Sequence, residues 1–86
     1  MTRTRRIVAA NIKKFREEKR LSVVQAAERL GVGRQYWYLM ENGGGNLPLD
    51  RLDAVASVLG VSVPDLLHEG NGRKGDKREL VGGKKR

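Results

Sequence analysis

Between residues 7 and 69 the bulky apolar side chains recur every three or four positions, and no stretch alternates apolar with polar at every second residue. A half-buried strand needs that alternation, whereas an amphipathic helix needs the longer spacing. The chain is therefore expected to be all-α. Val8, Ile12 and Phe15 set the period of a first helix, from about Arg5 to Lys19, with Lys13, Lys14, Glu17 and Glu18 off that face. Ser22 can cap a second helix, and Gln25 can reach back to the cap N–H. Ala26, Ala27 and Leu30 form its inner face, and the small alanines allow a neighbouring helix to come close. Gly31 stops it, because a glycine takes the left-handed conformation that ends a helix, and Val32 turns inward beyond it. Gly33 serves as the cap of a third helix, from Arg34 to about Glu41, with Trp37 and Met40 inside.

Asn42-Gly43-Gly44-Gly45-Asn46 must be a loop, since three glycines in a row would cost a helix about 3 kcal/mol relative to alanine. Pro48 suits a helix start, Leu49, Leu52, Val55, Ala56 and Leu59 give a fourth helix its stripe, and Gly60 closes it. Ser62 caps a last short helix through Leu66, Leu67 and His68, with Pro64 and Asp65 in its first turn.

The charge divides the 86 residues into three parts. The net charge is +8, from 18 Lys and Arg against 10 Asp and Glu. Arg3, Arg5 and Arg6 put +3 on residues 1–6, read as a basic N-terminal arm. Residues 70–86 carry +5, with five glycines and only Leu80 and Val81 as bulky apolar groups. That is too little apolar surface to offset the entropy of ordering, so a disordered basic tail is expected. Residues 7–69 hold eight basic and eight acidic side chains and are formally neutral.

The same composition excludes several classes. A chain this short buries only about 60% of the surface its unfolded form exposes, which leaves little room for a substrate cleft, and no nucleophile–base pair or phosphate loop is visible. The protein is expected not to be an enzyme and to need no cofactor. Cysteine is absent, and His68 alone cannot make a metal site. No apolar run reaches the roughly 18 residues of a membrane span, and no signal-peptide core follows the basic start. That start faintly suggests a transit peptide, but Val8, Ile12 and Phe15 are needed in the folded domain. A cytoplasmic protein is expected.

Two short helices separated by Gly31, Val32 and Gly33 have helix-turn-helix spacing. By itself that spacing fits a DNA-binding hairpin and a hairpin in a bundle that binds nothing equally well. The wider set is more specific. Leu21-Ser22, Ala27-Glu28-Arg29-Leu30-Gly31-Val32, Glu41-Asn42-Gly43 and Leu59-Gly60-Val61-Ser62 stand in the order and spacing of the lambda-repressor-like, Cro/C1-type (XRE family) helix-turn-helix domain. The chain resembles that family from about Val8 to Leu67. The resemblance implies a compact five-helix bundle, a recognition helix at about 34–41 in the major groove, and a homodimer on a palindromic operator in double-stranded DNA.

The family's base-reading positions fall on Arg34 and Gln35, with further reach from Tyr38 and Leu39. Arginine offers a fork matching guanine O6 and N7, and glutamine can donate to and accept from adenine. Arg34 could instead clamp a phosphate. Tyr36-Trp37-Tyr38 cannot share one role, because successive helix residues point about 100° apart. Trp37 matches a buried position, Tyr36 is expected half-buried with its hydroxyl toward a phosphate, and Tyr38 faces outward. Leu39 can touch a thymine methyl or pad an interface. Asn42 and the N–H groups of Gly43, Gly44 and Gly45 are implied phosphate contacts, with a plain flexible turn as the competing reading. Arg16 and Glu41 match a buried ion pair between the first and third helices.

Some positions depart from the family. Val23 stands where Gln is usual, removing one phosphate contact. Arg20 replaces the usual glycine before Leu21 and can return part of that attraction, Gly33 replaces a Ser or Thr cap, and Leu47 replaces the proline of the loop end.

The leading reading is a sequence-specific transcriptional regulator of prokaryotic, phage or mobile-element type. Two alternatives remain. One is an antitoxin or other protein-interaction regulator, using Tyr38, Leu39 and the Leu66-Leu67 end. The other is an RNA or polyanion binder acting through the basic tails. No ligand-sensing domain is expected, and the last helix with Leu66 and Leu67 is the candidate dimer contact.

Overall fold

Five helices form among the described residues, 2–44 and 46–69 of a computed structural model: α1 (Arg3–Glu18), α2 (Val23–Leu30), α3 (Arg34–Glu41), α4 (Leu49–Leu59) and α5 (Val63–Leu67). The fold is all-helical, as the apolar spacing predicts. The expectations for residues 70–86 and Gly45 lie outside the described residues.

The helix ends explain the boundaries. Thr2 is extended and its Oγ1 accepts the N–H of Arg5 at 3.1 Å, so α1 starts at Arg3, two residues before the start expected from the sequence. Arg3, Arg5 and Arg6, read from sequence as an arm, therefore lie on the first turns of α1. Ser22 and Gln25 form the reciprocal cap of α2, with Ser22 N–H donating to Oε1 at 2.9 Å and Gln25 N–H to Oγ at 3.0 Å. Ser62 and Asp65 do the same for α5, at 3.1 and 3.2 Å. Each such cap satisfies N–H groups that have no partner inside the helix.

Three helices close in one manner. Arg20 (φ +61°), Gly31 (φ +84°) and Gly60 (φ +71°) turn left-handed, and the next residue donates back into the last turn: Leu21 to Arg16, Val32 to Ala27 and Val61 to Ala56, at 3.0 to 3.1 Å. The apolar residue after each turn is thereby folded against the core. Glycine takes this conformation without a Cβ clash; Arg20 holds it with one, a strain of order 1 kcal/mol.

The core contains Val8, Ile12, Leu21, Ala26, Ala27, Trp37, Met40, Leu52, Val55, Ala56, Leu59 and Leu66, with Phe15, Leu30 and Val32 packed partly buried against it. α1 runs through the centre and touches α3, α4 and α5, while α2 packs on α3 and α4. Two expectations are corrected. Leu49, placed in the stripe of α4, is 80% exposed because the helix has barely begun there. Leu66 is fully buried, so of the Leu66-Leu67 pair only Leu67 faces solvent.

Asn11 is a buried polar residue with no sequence signal. Its Nδ2 donates to the carbonyls of Leu66 at 2.7 Å and His68 at 3.0 Å, with Asp65 O at 3.4 Å. A helix of five residues cannot satisfy its own last carbonyls, and Asn11 supplies donors from α1.

Candidate nucleic-acid interface

α2 and α3 are joined by three residues and pack together, which leaves one side of α3 free. At 100° per residue, Arg34, Gln35, Tyr38 and Leu39 fall within an arc of about 140°. Trp37 (0% exposed) and Met40 (6%) occupy the opposite side. Arg34 and Gln35 are exposed, as are Tyr38 (51%) and Leu39 (44%). The four residues expected to read bases thus share one outward face containing a cation, a carboxamide, a phenol and an aliphatic group.

The orientation of this face is fixed by one carboxylate. Glu41 Oε2 accepts from Arg16 Nε and from Trp37 Nε1, both at 2.6 Å, and Oε1 accepts from Arg16 Nη2 at 3.3 Å. Arg16 Nη1 also donates to the carbonyl of Leu21 at 2.9 Å. The side chains of Arg16 and Glu41 are 12% and 7% exposed. The hydrogen bond to Glu41 holds the Arg16 guanidinium above the usual arginine range, with burial opposing and the charges of Glu41 and Glu17 assisting. Arg16 and Glu41 therefore join α1 to α3, and Trp37 is tied to the same carboxylate, so α3 cannot roll without breaking charged hydrogen bonds.

The loop after α3 is less available than its glycines suggest. Asn42, Gly43 and Gly44 donate their N–H groups to the carbonyls of Tyr38, Met40 and Leu39, at 3.0 to 3.1 Å. The N–H contacts expected of Gly43 and Gly44 are thus committed to closing α3, while the side chain of Asn42 stays exposed. Gly44 has a packing reason too: a Cβ there would stand 2.6 Å from Leu39 Cδ1. Arg20 is exposed at the α1–α2 corner. Tyr36 is half-buried, and Arg51 from the first turn of α4 lies over its ring, with Cζ 5.3 Å from the centroid. Arg51 carried no sequence signal, since it belongs to a separate helix.

At the far end, Arg3 pairs with Glu69 and Arg5 donates to Asn46. Beside them an apolar groove of about 350 Å³ is lined by Leu39, Met40, Leu47, Leu49, Leu52 and Leu67, among others.

A family model described as "Helix-turn-helix domain" matches residues 7–69. The chain belongs to this family, in its Cro/C1-type branch. An immunity repressor protein of Bacillus phage phi105 is 37% identical over 62 residues, covering 72% of the chain and 43% of the relative. The chain thus spans less than half the length of that repressor. The solved structure of the clp gene regulator ClgR from C. glutamicum matches at TM-score 0.76 with 30% identity, over 83% of this chain and 91% of that one. Hydroxypropylphosphonic acid epoxidase from S. wedmorenis also matches, at 33% identity and TM-score 0.72, over 78% of this chain but only 36% of the epoxidase. The helix-turn-helix unit thus occurs in regulators and also as a minor part of an enzyme, so the unit by itself carries no assignment of catalysis. In this helix-turn-helix domain the two helices of the motif are α2 and α3, and the outward face of α3 is left exposed.

Proposed function

We propose that this helix-turn-helix domain is a sequence-specific DNA-binding transcriptional regulator, with α3 in the major groove and no catalytic role. The observation that carries the reading is the outward face of Arg34, Gln35, Tyr38 and Leu39 on a helix pinned by Glu41. A helix about 10–12 Å across fits a major groove of similar width. Arg34 and Gln35 read base edges, each good pair giving about 1–3 kcal/mol of discrimination. Tyr38 and Leu39 contact sugar or thymine methyl. Asn42 and Arg20 bind backbone phosphates. The names of the phage immunity repressor and of ClgR support the regulatory reading.

A helix of eight residues reads only a few base pairs, so the protein acts as a homodimer on a palindromic site with half-sites about 34 Å apart. Leu67 supports a contact at the end of α5. Its place of action is the cytoplasm, with its DNA. Selection from random duplexes tests the proposal, and an enriched palindrome is the expected product. Arg34→Ala and Gln35→Ala should relax the preference. Retention of wild-type affinity and selectivity by both variants would refute their role as readers.

A second reading, as a regulator that binds another protein, is supported by the apolar groove beside Leu39 and Leu67. A stoichiometric partner, with DNA affinity staying near the nonspecific 10⁻⁴ to 10⁻⁶ M at physiological salt, would favour it. Polyanion binding through the tails has less support at the N-terminal end, where Arg3 and Arg5 are engaged by Glu69 and Asn46.

A further inference from the structure

We propose that Arg51 is a phosphate clamp, pre-positioned by the ring of Tyr36, that grips the DNA backbone at the α4 side of the recognition helix. The inference rests on α3 entering the major groove, as set out above. Three observations carry it.

The first is position. On the helical wheel Tyr36 stands about 60° beyond Leu39, at the border between the outward face and the core. A helix that fills the major groove points the centre of its outward face at base edges and the borders of that face at the flanking phosphates. Tyr36 marks one such border, and Arg51 lies over it.

The second is that the guanidinium is held but chemically uncommitted. Cζ sits 5.3 Å from the ring centroid of Tyr36, within the range of a cation–π contact. None of the ion pairs among the described residues includes Arg51, although Asp50 and Asp53 are its near neighbours in sequence. Among the described residues, no hydrogen bond uses its N–H groups. A contact of the guanidinium carbon with the ring face uses none of the hydrogen-bond capacity of the N–H donors, whose planar fork matches phosphate oxygens.

The third is the state of the neighbouring loop. The N–H groups of Asn42, Gly43 and Gly44 are donated to α3 carbonyls, so they are not uncommitted phosphate donors, whereas the Arg51 fork is. Arg51 is a half-buried side chain already set against a ring, which lowers the entropy lost when a phosphate arrives. Tyr36 is then a positioning residue. Its ring holds Arg51, in place of the hydroxyl-to-phosphate contact that the sequence suggested.

The test is a salt titration of DNA binding, using the full chain with the duplex enriched by selection and a scrambled duplex. A phosphate contact is sequence-blind and releases counterions. Arg51→Ala should therefore weaken binding to both duplexes by the same factor, about tenfold, and reduce the slope of log K against log salt by about 0.9. Arg51→Lys keeps the charge and should keep the slope at reduced affinity. Tyr36→Phe keeps the ring and should bind within about twofold of wild type, whereas Tyr36→Leu should lose both affinity and slope. Thermal melting followed by Trp37 fluorescence confirms that each variant is folded at the assay temperature. An Arg51→Ala protein with the wild-type slope overturns the clamp while leaving the regulator reading intact. Equal losses in Tyr36→Phe and Tyr36→Leu would show that the hydroxyl binds the phosphate and overturn the positioning role. A wild-type protein that binds no duplex overturns both proposals.

Discussion

Glu41→Leu, made alone and together with Arg16→Met, isolates the contact that orients α3. Removing Glu41 strands the Arg16 guanidinium, only 12% exposed, and deprives Trp37 Nε1 of its acceptor. The first loss costs about 3–5 kcal/mol and the second about 1–3 kcal/mol. Because Arg16 keeps a little solvent and its bond to the Leu21 carbonyl, a total of about 4–6 kcal/mol is expected. That is comparable to the whole stability of many small domains, about 5–15 kcal/mol. In the double variant both charges are gone and methionine fills part of the arginine's volume. What remains is the unpaired indole N–H and the Leu21 carbonyl, about 1–3 kcal/mol. The double variant should thus be more stable than Glu41→Leu. Urea unfolding followed by the fluorescence of Trp37, the single and fully buried tryptophan, measures Glu41→Leu, Arg16→Met alone and the double variant. Additive losses, or a Glu41→Leu variant within about 1 kcal/mol of wild type, would show a solvent-screened surface pair and refute the reasoning. The same experiment at alkaline pH checks the charge. The folded state raises the pKa of Arg16, so its contribution is complete below the ordinary arginine range and is lost only as pH rises through the higher folded value. The coupling should be the same at about pH 7 and about pH 10.

Other substitutions test the helix ends. Asn11→Ala should cost about 1–3 kcal/mol, since it removes the donor to the buried carbonyl of Leu66 and the partly buried one of His68 at the end of α5; a loss below about 0.5 kcal/mol in the same unfolding assay would mean that water replaces it. Gly31→Ala and Arg20→Gly act in opposite directions on left-handed residues. The first should destabilise by about 1 kcal/mol, and the second should be neutral to stabilising by up to about 1 kcal/mol, as relief of the Cβ clash competes with a more flexible unfolded chain. Equal destabilisation by both would contradict the strain assigned to Arg20.

The helices were legible because their signals are local. Ser22 with Gln25, Gly31, Gly60 and Ser62 act within a few residues of the boundary they set, and the spacing of Ile12, Val55 and Leu59 states which face is buried. The start of α1 was missed for a local reason too: the cap is Thr2, ahead of the apolar period used to place the helix. The outward face of α3 followed from its periodicity together with the resemblance of the surrounding motifs. Asn11 and Arg51 were not legible, because their partners lie on other helices and no spacing rule connects them.

The sequence by itself determined an all-helical chain with a balanced middle, and placed Arg34, Gln35, Tyr38 and Leu39 on one side of a short helix. Capping, left-handed glycines and helical period depend on neighbours in the chain, so composition and order suffice for them. Tertiary structure alone decided which leucine of the Leu66-Leu67 pair is exposed and how one carboxylate serves Arg16 as well as Trp37. Those outcomes depend on the packing of α1 against α3 and α5 and of α4 beside α3. Residues far apart in sequence come within hydrogen-bonding distance only after the core has closed, and their chemistry is set by that proximity.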